Sequence, residues 1–334
     1  MITNSKGWSQ LTLTRLTTIL LFFTALTSIA SAQFEKEAGK LIFKNGLMPY
    51  PAGNDKIAFV RPDDKIPGTP FELYLGDIAT GKETRILPGF DFSKSPTYAF
   101  AVSPSGTEFV VPTKGGAGAW ELLKYTVGSK TGTQIGDLSQ FKEIPKPEAI
   151  TGLNIDPSSL VEISDMTWSP SGKKLVITMI RADNSAVWWV DIATGRARQA
   201  TEDKVGYWGS FHPNDDLLCY TDNIIYEGIS TDEGILLRSI TTGDIDTLCN
   251  TRDHESAGVI SPDGKYLAYN RKVNESNNVW VMNLATRETK AITNVSGNKH
   301  CAYPRWTPDG KRLVFQGNGF ISAPVVFMRE FTPF

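Results

Sequence analysis

Two histidines hold the same register relative to a recurring proline turn: His254 lies eight residues before Pro262, and His300 lies eight before Pro308. The matching position before a third copy of that turn is Glu162, and Tyr207 and Trp208 fall close to it before a fourth. Two imidazoles and a carboxylate around one opening could hold a divalent metal or bind an acidic sugar. The ordinary fate of a loop histidine is solvation, and the chain has only three histidines. Two further aromatics stand beside loops of variable sequence and join the candidates: Trp120, after a glycine-rich stretch, and Tyr226, within 221–234 near Glu227, Asp232 and Glu233.

Other catalytic patterns are missing. The sequence has no Gly-x-Ser-x-Gly elbow, no His-Glu-x-x-His and no dinucleotide fingerprint. The glycine-rich 115–118 lacks the spacing and the lysine of a phosphate loop. Asp165, Asp222 and Asp253 are not paired by any catalytic spacing, so no catalytic residue is assigned. No cofactor is implied beyond a divalent metal at His254 and His300.

The elements that must position these residues come from an internal repeat. Ser103-Pro104-Ser105-Gly106, Ser169-Pro170-Ser171-Gly172, His212-Pro213-Asn214-Asp215, Ser261-Pro262-Asp263-Gly264 and Thr307-Pro308-Asp309-Gly310 are copies, and Pro51-Ala52-Gly53-Asn54 is a degenerate sixth. The prolines are spaced 53, 66, 43, 49 and 46 residues apart, close to one four-stranded propeller blade per interval apart from the second. An apolar strand precedes each turn and a β-rich run follows, as in Tyr266-Leu267-Ala268-Tyr269. A third strand such as Val279-Trp280-Val281-Met282-Asn283-Leu284 then leads into an Ala-Thr turn and a short fourth. Trp168, Trp188, Trp189, Trp280 and Trp306 recur at strand positions and read as blade packing, and Asp263 and Asp309 as turn residues.

These patterns, Ser261-Pro262-Asp263-Gly264-Lys265 through Tyr269 and Trp280-Val281-Met282-Asn283-Leu284, resemble the propeller repeats of the TolB family across about 40–330. The resemblance implies a six-bladed all-β propeller of four-stranded antiparallel blades. In TolB an α/β domain precedes the propeller, whereas here only a few residues lie between the N-terminal segment and the first blade. The expectation is a TolB-like propeller without that domain, to which TolB's partners do not transfer.

The expected blades lie near 46–90, 96–139, 165–202, 206–250, 256–294 and 301–330, within a single domain 33–334. Residues 140–164 form an insertion that explains the 66-residue interval; it is either functional or disordered. Blade six lacks chain for a fourth strand, and Lys40-Leu41-Ile42-Phe43 is an apolar run that can supply it, closing the ring and hiding an edge.

Residues 1–32 read as a signal peptide: Lys6 and Arg15 without acidic residues, an apolar stretch, then Ala30-Ser31-Ala32 before a cut at Gln33. The alternative is an uncleaved anchor, but the run is short of the roughly 20 apolar residues a span needs. Cleavage implies a periplasmic or secreted protein with no stable membrane insertion. It also moves the formal charge from −2 to −4 by removing two cations. No basic stripe appears, which argues against nucleic acid. Cys219, Cys249 and Cys301 allow at most one bridge, whose pair the sequence does not choose. The leading expectation is a non-enzymatic binding or scaffold module for a protein or envelope glycan, acting through its loop face. The alternative is a metal-assisted polysaccharide lyase or hydrolase at the channel mouth.

Overall fold

The computed structural model describes residues 30–61, 71–87, 99–114, 120–137, 162–181, 184–201, 206–226, 229–320 and 323–334. The chain forms six four-stranded antiparallel sheets. Blade one is β2 (Leu47–Pro51), β3 (Lys56–Arg61), β4 (Glu72–Asp77) and β5 (Glu83–Arg85). Blade two is β6 (Ala101–Val102), β7 (Glu108–Lys114), β8 (Trp120–Thr126) and β9 (Thr133–Asp137). Blade three is β10 (Glu162–Trp168), β11 (Lys174–Arg181), β12 (Asn184–Asp191) and β13 (Ala197–Gln199). Blade four is β14 (Tyr207–Phe211), β15 (Leu217–Tyr226), β16 (Ile229–Ser239) and β17 (Ile245–Cys249). Blade five is β18 (Glu255–Ile260), β19 (Tyr266–Val273), β20 (Ser276–Asn283) and β21 (Thr289–Ala291). Blade six is β22 (His300–Trp306), β23 (Arg312–Asn318) and β24 (Val325–Glu330), completed by β1 (Lys40–Lys44) on β24. The expected six-bladed propeller closed by an N-terminal strand is therefore the fold.

The repeated turn has a physical reason for each residue. The serine or threonine hydroxyl accepts the N–H five residues on, as Ser169 does from Lys174 (3.0 Å), Ser261 from Tyr266 (2.9 Å) and Thr307 from Arg312 (3.1 Å). Asp263 and Asp309 accept from Ser261 and Thr307 and from the following lysines, a structural role. The last turn residue is left-handed: Gly264 has φ 75° and Gly310 has φ 68°, where glycine carries no Cβ penalty. In blade four Asp215 adopts this conformation instead, with φ 58°. Neighbouring turns interlock around the ring, Ser171 Oγ donating to Asp215 (2.7 Å) and the Asp309 N–H to Asn54 (3.0 Å).

The seam is held by more than its ladder. Phe43 is buried on β1 and stacks on Phe59 of blade one, centroids 5.1 Å apart. A Cβ on Gly76 of β4 would lie 2.2 Å from the Phe43 ring, so glycine makes the room. Phe43, Ile57, Phe59, Val314, Val326 and Met328 form one apolar cluster across blades six and one. Residues 30–37 are helical and dock beside the seam. Arg329 donates to the Ala38 and Lys36 carbonyls (3.0 and 2.8 Å), and Lys299 pairs with Glu37.

Some boundaries differ from the sequence expectation. Residues 162–164, assigned to the insertion, belong to the inner strand β10; residues 138–161 lie outside the described residues, as does the glycine-rich 115–118. The segment 221–234 is largely a hairpin extension of β15 and β16, with Thr221 opposite Ile235 and Tyr226 opposite Ile229. Among the described residues no helix is long and apolar enough to cross a membrane.

All three cysteines are free and buried. Burial pushes the Cys219 and Cys301 thiols up to about 12 from an ordinary 9. Because the folded state favours the neutral thiol, this contribution is complete below the unfolded value and is lost as pH rises towards 12. A thiol reagent at pH 8 should label none of the three in native protein and all three after unfolding. Phe43→Ala should cost about 3–5 kcal/mol in urea unfolding; a cost under ~1 kcal/mol would show that the seam does not depend on that ring.

Candidate functional site

The antiparallel order places the proline turns at one end of the central channel and the loops between second and third strands, and between blades, at the other. The inner strands build the channel, and several are bulged. Register shifts occur between Leu47 and Tyr50, Tyr207 and Ser210, Ser256 and Val259, and Ala302 and Arg305. Within those bulges Met48, Trp208, Ala257 and Tyr303 are left-handed, with φ of 48°, 50°, 53° and 57°. Such conformations are costly for residues with a Cβ and persist where surroundings enforce them. At three of the four, a side chain on the second strand of the preceding blade accepts the bulge N–H; at Trp208 the equivalent Thr178 hydroxyl is buried without a partner. Gln316 takes Met48 (3.1 Å), Thr221 takes Ala257 (3.0 Å) and Asn270 takes Tyr303 (3.0 Å).

Among the described residues, two of the contacts across the channel pass over a blade that carries alanine. Trp208 of blade four meets Tyr303 of blade six edge to face, centroids 5.5 Å apart, where blade five contributes Ala257. Tyr207 packs on Trp208 at 4.7 Å. Nearer the turns, Tyr50 of blade one reaches Asp165 of blade three over Ala99 and Ala101 of blade two, its hydroxyl donating to Oδ1 at 2.5 Å. Arg305 of blade six completes this waist. Its Nη2 donates to the Tyr50 hydroxyl (3.0 Å) and Asp165 (3.3 Å), and its Nη1 to the Pro304 carbonyl (3.1 Å). The guanidinium also lies 4.7 Å from the Tyr50 ring centroid.

All three waist residues are buried. Burial raises the Tyr50 hydroxyl above its ordinary value, with Arg305 opposing and Asp165 reinforcing. Burial also works against the Arg305 charge, but Tyr50 and Asp165 outweigh it and hold the guanidinium above its usual value. Tyr303 is raised too, by burial first and then by Asp165 and Glu233.

The candidates read from sequence are distributed unevenly around this channel. Tyr207 and Trp208 lie at its loop end, as expected. His254 and His300 flank one rung of the β19–β20 hairpin, whose Lys272 and Asn277 are register partners. The Lys272 N–H donates to the His254 carbonyl (3.3 Å), and the Asn277 N–H to His300 Nδ1 (3.3 Å). With that lone pair engaged, neutral His300 carries its proton on Nε2 and must turn before it can ligate a metal. Glu162 begins β10, but its side chain, like that of Tyr226, lies outside the described residues. Among the described residues no three His, Cys, Asp or Glu side chains converge as a metal set. Trp120 is not at a loop surface: it is 5% exposed, in the core cluster with Ile163, Met166 and Trp168, because β8 directs it between blades two and three.

Sequence reasoning passed over Arg305 and Tyr50, and met Asp165 only as one unpaired carboxylate. The available clue was a charge two residues before the turn. The positions equivalent in the strand ladders are Tyr50, Ala101, Thr167, Ser210 and Val259, so Arg305 is the one cation in that layer.

No family model and no curated protein matches the sequence. Among solved structures, TolB from Acinetobacter baumannii is similar with a TM-score of 0.54 and 16% identity, over 83% of this chain and 65% of that one. The chain thus spans just under two thirds of that TolB. An oligogalacturonate lyase in complex with manganese is similar with a TM-score of 0.55 and 13% identity, over 87% and 91%. The β-propeller domain of the Trilobed protease from Pyrococcus furiosus, described as having an open velcro topology, gives 0.53 and 10%, over 88% and 97%. At these identities the likeness is one of fold, a TolB-like six-bladed propeller.

Arg305→Met, which strands Asp165 in the waist, should destabilise by about 3–5 kcal/mol. Adding Asp165→Leu should recover much of that loss in equilibrium unfolding; a double-variant loss equal to the sum of the Arg305→Met and Asp165→Leu losses would show no coupling.

Proposed function

We propose that the chain is an exported, non-enzymatic binding module that engages a protein or a cell-envelope polymer at the loop end of its channel. The observation that carries this reading is the aromatic cup of Tyr207, Trp208 and Tyr303 above the Arg305–Asp165–Tyr50 waist. Tyrosine and tryptophan supply large apolar area together with polar tips, the composition of binding hot spots. Cross-channel packing fixes the rings before any partner arrives, which reduces the ordering cost of association.

Export follows from reading residues 1–32 as a signal peptide cut after Ala32, with a periplasmic or secreted product. The docked helical segment supports a role for the mature N-terminus, since Phe34 packs in the core cluster shared by blades five and six and Glu37 pairs with Lys299. Those contacts lie after the cut.

A second reading is a metal-assisted lyase or hydrolase acting on an acidic polysaccharide. It is favoured by the shared register of His254 and His300 and by the fold likeness to the manganese-bound oligogalacturonate lyase. Its metal would take these two imidazoles and needs further ligands, with Glu162 the sequence candidate; the turned-in Nδ1 of His300 counts against it.

Trp208→Ala should weaken capture of the partner from an envelope extract by about 30-fold on titration, the size of a hot-spot loss of ~2 kcal/mol; unaltered capture would move the site elsewhere. Elemental analysis of purified protein should find no stoichiometric divalent metal. Bound metal that disappears in His254→Ala would favour the enzymatic reading. The exported chain should begin at Gln33 by mass spectrometry.

A further inference from the structure

We propose that the turn end of the channel is a second binding site, for a small neutral molecule that joins an apolar ring or branched chain to a carbonyl or amide oxygen. This end is separated from the aromatic cup by the waist, so the proposal stands independently of the reading above.

The channel here holds a cavity of about 140 Å³, with Tyr50 and Arg305 of the waist among its lining residues. Its rim is made by turn prolines, Pro104, Pro170, Pro262 and Pro308. Trp168 and Trp306, from blades three and six on opposite sides of the six-bladed ring, both line it. Each indole is held in place, Trp168 Nε1 donating to the Gly172 carbonyl (3.0 Å) and Trp306 Nε1 to the Val259 carbonyl (3.1 Å). These walls are rigid and largely apolar, and their polar hydrogens are already used. An apolar pocket with few polar groups at its base is the usual form of a small-molecule site.

The polar groups at the base are incompletely satisfied. Arg305 and Thr167 both line the cavity, and Arg305 Nε and Thr167 Oγ1 are buried without a hydrogen-bond partner in the protein. Both atoms lie beneath the cavity wall with almost no accessible surface, so a ligand oxygen meets them only as these side chains turn toward it; buried donors left unpaired are costly, which favours that turn. The charge on Arg305 is already matched by Asp165 at 3.3 Å. An entering carboxylate would therefore bring an uncompensated charge into a buried site, whereas a neutral oxygen would not. The waist contacts cross the channel at the inner end of this cavity, and its volume suits one compact group.

Phenylacetamide and phenylacetate serve as probes, titrated against the full propeller by calorimetry and ligand-observed NMR. Phenylacetamide should bind saturably with one-to-one stoichiometry, and more tightly than phenylacetate. Thr167→Val removes a hydroxyl that has no partner, so the variant should fold normally and bind the amide about five-fold more weakly, the worth of one hydrogen bond. Val259→Phe narrows the cavity from the layer that also holds Arg305 and should abolish binding, in protein whose circular dichroism remains that of the folded propeller. No saturable binding to the unaltered protein, full affinity in Val259→Phe, or full affinity in Thr167→Val would each overturn the proposal, as would tighter binding of phenylacetate.

Discussion

A ring of twisted sheets is stable only if its last edge is covered, and every other feature of this propeller presupposes that closure. Strand β1 meets that need by pairing with β24 far along the chain, Lys40 opposite Met328 and Lys44 opposite Val325. Without it, β24 would present unpaired backbone groups at an open edge. The Phe43 ring adds a non-directional clamp by stacking on Phe59 in the first blade. The opening left by Gly76 shows that blade one is shaped for this ring. Closure also fixes the circumference, and the circumference determines which side chains can reach one another across the axis.

Inside the ring, local strain and inter-blade bonding are coupled. The left-handed bulge residues turn N–H groups away from their own ladders, and Gln316, Thr221 and Asn270 accept them from the preceding blade. At those three, the bulge gives a hydrogen bond between blades. The preceding-blade position equivalent to those acceptors is Pro112 in blade two, which has no side-chain acceptor, and blade three shows a register shift without a left-handed residue. The ring is sixfold in topology but not in chemistry. Alanines in blades two and five let larger side chains from the flanking blades meet over them.

That asymmetry gives the channel two unlike ends. The loop end carries aromatic rings already in contact, suited to a partner that lies across the mouth. The turn end is a largely apolar cavity that reaches Tyr50 and Arg305 of the waist. The sequence marks Asp263 and Asp309 as turn residues, and their hydrogen bonding supports that role. Yet the same turns bring their prolines together into a rim, because six similar elements converge on one axis.

Fold class, blade number and closing strand were legible from the chain itself. Six proline turns, the strands around them and an apolar run with no other place were local signals repeated often enough to agree. The register of His254 and His300 was legible too, but not how they would be used: one presents its carbonyl and the other its Nδ1 to a hairpin between them. Trp120 looked like a loop residue because its neighbours are glycines, and its burial depends on a facing blade more than forty residues away. The Arg305–Asp165–Tyr50 waist joins blades six, three and one across 255 residues of sequence. No local pattern encodes that contact. The sequence by itself determined the repeating unit, since strand and turn preferences act between near neighbours; only the tertiary structure decided which side chains meet on the axis, since that depends on ring closure and on the small residues in the blades between them.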